Sequence, residues 1–197
     1  MKKNIYLVRH AKSSGNTRPG WGNNPVVAEG MTQINNLIKY IEINKKELNI
    51  RHIYSSDVHR ALETCKRVST YLNIDYELCP QFRAPNNGEL GKLSNNEVDK
   101  LYPNVHYYTL DFDEPYPGGE SPHQFFDRVS LAWNEFIIKI SNLNGNILLF
   151  THSSVIRVIY SIVNDLFYDN KINSNIPECQ LLCIEYDNFK LMCNFKI

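Results

Sequence analysis

Two histidines that each follow a short apolar segment are the side chains of this sequence best suited to chemistry. Residues 5–8 are an apolar run that ends in Arg9 and His10, and residues 147–150 are a second run that leads through Thr151 to His152. Near neutral pH a histidine can act as a nucleophile or carry a proton, and an arginine binds phosphate or carboxylate oxygens through its forked guanidinium. The pairing predicts chemistry on an anion at the ends of two strands.

The surrounding pattern indicates how these residues are positioned. Short apolar runs bounded by polar residues and glycine are typical of buried strands, and segments with helical spacing alternate with them. We expect strands near residues 5–8, 52–56, 74–79, 146–151, 180–186 and 189–195, and helices near 29–44, 57–72, 95–101, 120–140 and 153–166. This alternation predicts an α/β fold with a mostly parallel central sheet. Ligands of such sheets bind beyond the carboxyl ends of the strands.

A third strand end contributes a second arginine. The sequence Ser-Ser-Asp at residues 55–57 ends the strand near 52–56; Asp57 is expected to cap the next helix, and Arg60 lies one turn into it. Ser153 starts the helix after His152. Arginines bind phosphate in a bidentate way, and helix N-termini add N–H donors. These residues predict a phosphoryl pocket in which one neutral histidine attacks phosphorus and the other, protonated beside the anion, stabilises the equatorial oxygens.

No metal or other cofactor is expected in this pocket, because its cationic side chains can take the role that Mg²⁺ plays elsewhere. The bulk composition limits the remaining classes of function. The 197 residues, 43% hydrophobic and 21% charged, suit one soluble domain, and a formal net charge of zero gives no indication of nucleic-acid binding. There is no apolar run long enough to span a membrane.

The cellular location is expected to be the cytoplasm. The first residues lack the features of a signal peptide, and the five cysteines, an odd number without a CxxC pair, indicate free thiols in a reducing compartment. The sequence leaves the oligomeric state open.

Five segments, in order along the chain, resemble the motifs of the histidine phosphatase superfamily, also called the phosphoglycerate-mutase-like family. They are Leu-Val-Arg-His at 7–10, Gly-Met-Thr-Gln at 30–33, Ser-Ser-Asp-Val-His-Arg-Ala-Leu-Glu-Thr at 55–64, Pro-Gly-Gly-Glu-Ser at 117–121 and Phe-Thr-His at 150–152. The resemblance implies a three-layer α/β/α sandwich and a His10 that is transiently phosphorylated. It implies that the phosphate is held by Arg9, Arg60 and His152, with further donors from Ser13, Asn16 and Ser153.

The general acid departs from the family pattern. The family often has a glutamate a few residues before a glycine to protonate the leaving group, and here Ala84 occupies that position. Glu89 is the nearest carboxylate, and it either replaces the acid or is solvated. Ala11 and Lys12 also differ from the usual glycine and from the common glutamate or glutamine after the first histidine. Loss of a general acid typically costs about 10²–10⁴-fold in rate, so good leaving groups are favoured.

The sequence therefore predicts a metal-independent phosphatase that hydrolyses a phosphomonoester through a phosphohistidine at His10. We expect a single domain over residues 1–197, with a small insertion at about 80–119 above the active-site edge. A small phosphorylated molecule is the expected substrate, and phosphate or sulfate is expected to bind in the pocket.

Three alternatives stay open at this point. The first is a phosphoglycerate-mutase-type phosphotransferase, although the insertion is small for a lid that excludes water. The second is a protein-phosphohistidine phosphatase. The third, suggested by Ala84, is a catalytically weak protein that binds a phosphorylated ligand and regulates.

Overall fold

Strands and helices alternate along the computed structural model, which describes residues 2–18, 20–172 and 174–197. The elements are β1 (Lys2–Arg9), α1 (Ala28–Ile43), α2 (Lys45–Leu48), β2 (Ile50–Ser55), α3 (His59–Leu72), β3 (Tyr76–Leu78), α4 (Asn95–Leu101), α5 (Pro122–Ile140), β4 (Asn146–Thr151), α6 (Ser153–Val163), β5 (Leu182–Asp187) and β6 (Lys190–Cys193). The predicted alternation is confirmed, and the short α2 is an addition to it. Across the described ranges no helix has the length and apolar character needed to cross a membrane.

The strands form one sheet in the order β3-β2-β4-β1-β5-β6. The first four strands in this order are parallel to one another. At one edge β5 pairs antiparallel with β1, and β6 pairs antiparallel with β5. The register places Arg9 opposite Thr151 and Ser55 opposite Phe150. The carboxyl ends of β1, β4 and β2 therefore lie side by side, as the sequence predicts for a mostly parallel sheet.

Helices pack on both faces of the sheet. Since alternate residues of a strand point to opposite faces, each central strand contributes side chains to two cores. On β1, Ile5 and Leu7 belong to a core that includes residues of α5 and α6. Tyr6 and Val8 belong to a second core, which includes residues of α1 and α3. The three-layer α/β/α sandwich is thereby confirmed.

The predicted cap of α3 is wrong. The N-cap residue is Val58, which makes no side-chain capping bond, and Asp57 lies one residue too early to cap the helix. Its carboxylate instead accepts hydrogen bonds from Arg83, with Nε at 2.6 Å from Oδ1. The hydroxyl of Ser56 accepts the N–H of Val58 at 3.3 Å. Asp57 thus attaches the start of α3 to the segment that leads towards residues 84–91.

Residues 80–119 carry a small apolar cluster of their own, formed by Leu90, Val98, Leu110 and Tyr116. This segment contacts the loop that follows β1: the backbone N–H of Asn95 donates to the carbonyl oxygen of Asn16 at 3.2 Å. The interpretation of this region as an insertion in a single domain stays a prediction.

Lys3 links the amino end of β1 to the end of α5. It is only 4% exposed, and its Nζ donates to the carbonyl oxygens of Ile140 at 2.6 Å, Ser141 at 3.0 Å and Leu143 at 2.5 Å. Carbonyls at a helix C-terminus have no partner within the helix. The lysine therefore supplies a charged donor to the carbonyls at the end of α5, in addition to the N–H of Leu143, which donates to the carbonyl oxygen of Ile140 at 3.1 Å.

We expect Lys3→Met to lower the free energy of unfolding by about 2–3 kcal/mol, because it keeps the aliphatic stem and removes a charged donor from these carbonyls. Urea denaturation measures the change. Lys2→Met is the matched control: its amino group is exposed and paired with Glu185 at 3.2 Å, so its effect is expected to be within about 0.5 kcal/mol. Equal effects of the two substitutions would contradict the assigned role of Lys3.

Candidate active site

The adjacent ends of β1 and β4 bring the two histidines together. The backbone N–H of His10 donates to the carbonyl oxygen of Thr151 at 3.0 Å, and the His10 and His152 ring centroids are 5.2 Å apart. Arg60, in the first turn of α3, extends its side chain towards these two histidines. With Arg9 these side chains line one cavity of about 940 Å³. The structure thus brings His10 together with the three residues that the resemblance implies for holding the phosphate.

The surroundings of His10 fix which ring nitrogen is available. Nδ1 lies 2.8 Å from the carbonyl oxygen of Ala11, which can only accept, so Nδ1 carries the proton. Nε2 is then the nitrogen without a proton, and its lone pair accepts a hydrogen bond from Arg60 Nε at 2.9 Å. Burial, followed by the charges of Arg60 and Arg9, lowers the pKa of His10 to about 3. Near neutral pH His10 is therefore uncharged, and Nε2 is its unprotonated nitrogen.

His152 is oriented by Ser56. The hydroxyl of Ser56 accepts the N–H of Val58 and lies 2.9 Å from His152 Nε2, in a hydrogen bond whose direction depends on the tautomer of the ring. In the tautomer that accepts the hydroxyl proton at Nε2, the ring proton is on Nδ1. Burial, followed by the charges of Arg60 and His10, holds the pKa of His152 well below its ordinary value. The protonated state that the sequence suggests would require an anion in the cavity, whereas the neutral ring already has an N–H to donate.

Three nitrogens of this set are buried without a hydrogen-bond partner among the described residues. They are Nε of Arg9, Nη1 of Arg60 and Nδ1 of His152. A buried donor without an acceptor typically costs about 1–3 kcal/mol. A phosphoryl group would supply several acceptor oxygens to these donors. The described residues contain no cluster of three or more His, Cys, Asp or Glu side chains that could hold a metal ion.

The guanidinium of Arg9 is oriented by a chain of hydrogen bonds. Its Nη1 donates to the carbonyl oxygen of Ile176 at 2.6 Å, and its Nη2 donates to Glu178 Oε1 at 3.1 Å. Gln33 Nε2 donates to Glu178 Oε2, and Gln33 Oε1 accepts the N–H of Lys12, both at 2.8 Å. Both terminal nitrogens of the guanidinium are thereby fixed, while its Nε has no partner among the described residues.

The sequence motifs predict no role for Ser56, Gln33 or Glu178. Gln33 lies in the quoted Gly-Met-Thr-Gln segment and Ser56 ends a predicted strand, so these two had a local signal. Glu178 had none, because it comes from an irregular segment far along the chain.

The other predicted site residues separate into two groups. Ser13 and Ser153 line the cavity, and Ser153 is the first residue of α6. Asn16 and Glu89 are exposed and are not among the residues that line it. The Glu89 carboxylate accepts the hydroxyl proton of Tyr102 at 2.6 Å. The structure therefore leaves Asn16 and Glu89 apart from the cavity that the two histidines line.

The low pKa of His10 has a consequence for stability. The unfolded chain binds a proton on this histidine below its ordinary pKa of 6.5, whereas the folded chain binds one only near 3. Between these values the unfolded state holds more protons, so stability falls as the pH decreases. We expect His10→Gln to reduce this slope by about 1.4 kcal/mol per pH unit, measured by urea denaturation at several pH values.

The matched control is His59→Gln, the same substitution at a half-exposed histidine on α3. A slope that is unchanged in His10→Gln would contradict the neutral, buried state of His10.

Solved structures show the same fold. The α-ribazole phosphatase from Shigella flexneri superposes with a TM-score of 0.80, at 17% identity, covering 97% of this chain and 94% of that one. Bacillus stearothermophilus YhfR gives a TM-score of 0.80 at 19% identity, covering 98% and 95%. The mycobacterial glucosyl-3-phosphoglycerate phosphatase in complex with inorganic phosphate gives 0.76 at 16% identity, covering 99% and 96%. At these identities the likeness establishes the fold alone.

Comparison of sequences establishes the family. The probable phosphoglycerate mutase GpmB from Escherichia coli O1:K1 is 28% identical over 136 residues, which cover 65% of this chain and 60% of that protein. The chain thus spans less than two thirds of the length of the curated relatives that it matches. The family profile of the histidine phosphatase superfamily (branch 1) matches residues 5–194. With the match covering nearly the whole chain, this protein belongs to the histidine phosphatase superfamily, branch 1.

Proposed function

We propose that this protein hydrolyses a phosphomonoester through a phosphohistidine at His10. The observation that carries the proposal is the neutral His10, whose Nε2 is free of a proton and lies beside the unpartnered donors of Arg9, Arg60 and His152. A phosphoryl group held by these donors would present its phosphorus to Nε2. Catalysis would come mainly from positioning and electrostatic stabilisation.

The reaction proceeds in two steps. Nε2 of His10 attacks phosphorus, the bond from phosphorus to the ester oxygen breaks, and the leaving oxygen takes up a proton. The Ala11 carbonyl, which accepts from Nδ1, stabilises the positive charge on the phosphorylated ring. Water then attacks phosphorus, the P–N bond breaks, and inorganic phosphate leaves while the ring returns to its neutral form.

The expected substrate is a small phosphorylated molecule with a good leaving group. Ala84 lines the cavity and cannot donate a proton, and Glu89 is outside the lining. Hydrolysis would then be fastest where the leaving oxygen needs little protonation. We place the protein in the cytoplasm, in keeping with its five free cysteines, and we propose neither a nucleic acid nor a membrane as its partner.

The proposal is tested by hydrolysis of p-nitrophenyl phosphate in the presence of a chelator. We expect turnover that does not depend on added metal, because the cationic side chains meet the phosphoryl charge. Absence of turnover by the folded wild-type protein would contradict the proposed activity.

A second candidate function is favoured by Ala84. Without a general acid in the cavity, the protein would bind a phosphorylated ligand and turn it over weakly. Titration with inorganic phosphate distinguishes the two: binding without turnover of p-nitrophenyl phosphate would favour the binding protein. A mutase, suggested by the probable phosphoglycerate mutases among the relatives, would return the phosphoryl group to an added acceptor instead of passing it to water.

Glu89→Gln tests the carboxylate that the sequence puts forward as the acid. We expect the rate and its fall at alkaline pH to match the wild type, because Glu89 is exposed and engaged with Tyr102. A rate lowered by about 10²-fold or more, with a flatter alkaline limb, would instead identify Glu89 as the general acid.

A further inference from the structure

The carboxylate of Glu178 lies in the active-site cavity next to one of the two arginines proposed to hold the phosphate. Its Oε1 accepts a hydrogen bond from Arg9 Nη2 at 3.1 Å, and its side chain is only 20% exposed. The described hydrogen bonds of the Arg60 side chain go to neutral groups, which are Nε2 of His10 and the carbonyl oxygen of Gly20. The charge of Arg9 is therefore offset by a carboxylate, whereas that of Arg60 is met by neutral acceptors.

Contacts of the backbone and of both carboxylate oxygens fix Glu178 beside Arg9. Its Oε2 accepts a hydrogen bond from Gln33 Nε2 at 2.8 Å. Glu178 pairs with Arg9 in a parallel β-bridge, and the N–H of Cys179 donates to the carbonyl oxygen of Arg9 at 2.9 Å. Cys179 has a φ of +52°, a conformation that residues with a Cβ rarely adopt. The fold thus keeps this carboxylate next to Arg9 even though the following residue takes an unfavourable backbone conformation.

A carboxylate at this position acts on phosphate binding in a way that a neutral side chain would not. His10, Arg60 and His152 are buried, so charges in the site are screened less than charges at the surface. Glu178 therefore repels a dianion that Arg9 attracts. Binding energy shared by substrate and product lowers KM without raising kcat, and it also retains the inorganic phosphate that the reaction releases. A weaker hold by Arg9 favours departure of the product.

We propose that Glu178 limits the affinity of the site for inorganic phosphate, and so speeds release of the product, by offsetting the charge of Arg9. Glu178 does not itself hold the phosphoryl group; it is a positioning residue that acts through Arg9. This inference rests on the proposed phosphatase function, and it adds to that function a residue that sets how strongly the product is retained.

The test measures the Kd of inorganic phosphate by calorimetric titration, at an alkaline pH where phosphate is a dianion, in two variants that change the charge in opposite directions. Glu178→Gln removes the carboxylate, and Gln33→Glu places a second one beside it. Both disturb the same hydrogen bond between the side chains at positions 33 and 178, since a donor then faces a donor or an acceptor faces an acceptor. We expect a Kd about 10-fold lower in Glu178→Gln and about 10-fold higher in Gln33→Glu, because one partly screened charge near the dianion is removed or added.

The matched control for charge is Glu29→Gln. It removes an exposed carboxylate that pairs with Lys12, which lines the same cavity, and it is expected to change the Kd by about 2-fold at most because solvent screens this pair. Circular dichroism checks that each variant is folded. Inhibition of p-nitrophenyl phosphate hydrolysis by inorganic phosphate gives a Ki for each protein, and these values are expected to follow the Kd.

The sign of the two shifts separates an effect of charge from support of the fold. If Glu178 only supports the fold, both variants bind phosphate more weakly or as the wild type does. A folded Glu178→Gln protein that binds phosphate no more tightly than the wild type would overturn the inference, while hydrolysis of p-nitrophenyl phosphate would leave the phosphatase function standing. Shifts of opposite sign without any hydrolysis would uphold the effect of Glu178 on phosphate binding and overturn the proposed function. A wild-type protein that binds no phosphate would overturn both.

Discussion

His10→Ala is expected to lower kcat for p-nitrophenyl phosphate by on the order of 10⁴-fold or more, because it removes the atom that forms the covalent intermediate. The other groups of the site cannot replace it. His152 also lines the cavity, but its Nε2 is hydrogen-bonded to Ser56 and its proposed role is to hold the phosphate. Steady-state hydrolysis of wild type and variant measures the loss.

The interpretation of that loss requires the variant to keep its fold and its phosphate site. Circular dichroism and titration with inorganic phosphate provide these controls, since Arg9 and Arg60 remain in place. A folded His10→Ala protein that binds phosphate and retains more than about a tenth of the wild-type rate would exclude His10 as the nucleophile.

Ala84→Glu is expected to raise kcat/KM for an alkyl phosphate such as n-butyl phosphate by about 10²–10⁴-fold, the usual contribution of a general acid. Ala84 is 3% exposed and lines the cavity, and its carbonyl oxygen accepts Trp21 Nε1 at 2.8 Å. A carboxyl group on this anchored residue would lie within the cavity. The rate with p-nitrophenyl phosphate is expected to change far less, because nitrophenolate leaves without a proton.

Ala84→Gln is the matched control, with similar size and no acidic proton. It is expected to leave the alkyl phosphate rate near that of wild type. Equal rates for the Glu and Gln variants, with both folded, would show that a missing acid at this position does not limit the reaction.

The arrangement of the central site follows from local features of the sequence. The apolar runs at 5–8 and 147–150 are long enough to be buried strands and too short for helices, and parallel strands end at the same edge. His10 and His152 are therefore adjacent because each follows its strand directly. Arg60 joins them because β2 pairs with β4 and α3 starts soon after β2.

The features that the sequence could not indicate depend on contacts between distant segments. Glu178 finds its partners only after the chain has folded against the sheet. Glu89 is directed outwards by the turn at Gly88, which has a φ of +53° and packs so closely that a Cβ would lie 2.1 Å from the carbonyl oxygen of Pro117. The N–H of Glu89 donates to that same oxygen at 3.0 Å. Residues 83–91 have no sequence periodicity that would predict this contact.

The most direct test of the central claim is to trap the phosphorylated enzyme. Wild-type protein would be mixed with p-nitrophenyl phosphate, quenched in alkali, in which phosphohistidine survives, and digested for mass spectrometry. We predict one phosphoryl group on the peptide that contains His10, and none in His10→Ala. Rapid turnover without a phosphorylated peptide, or a phosphoryl group on a residue other than His10, would contradict the account.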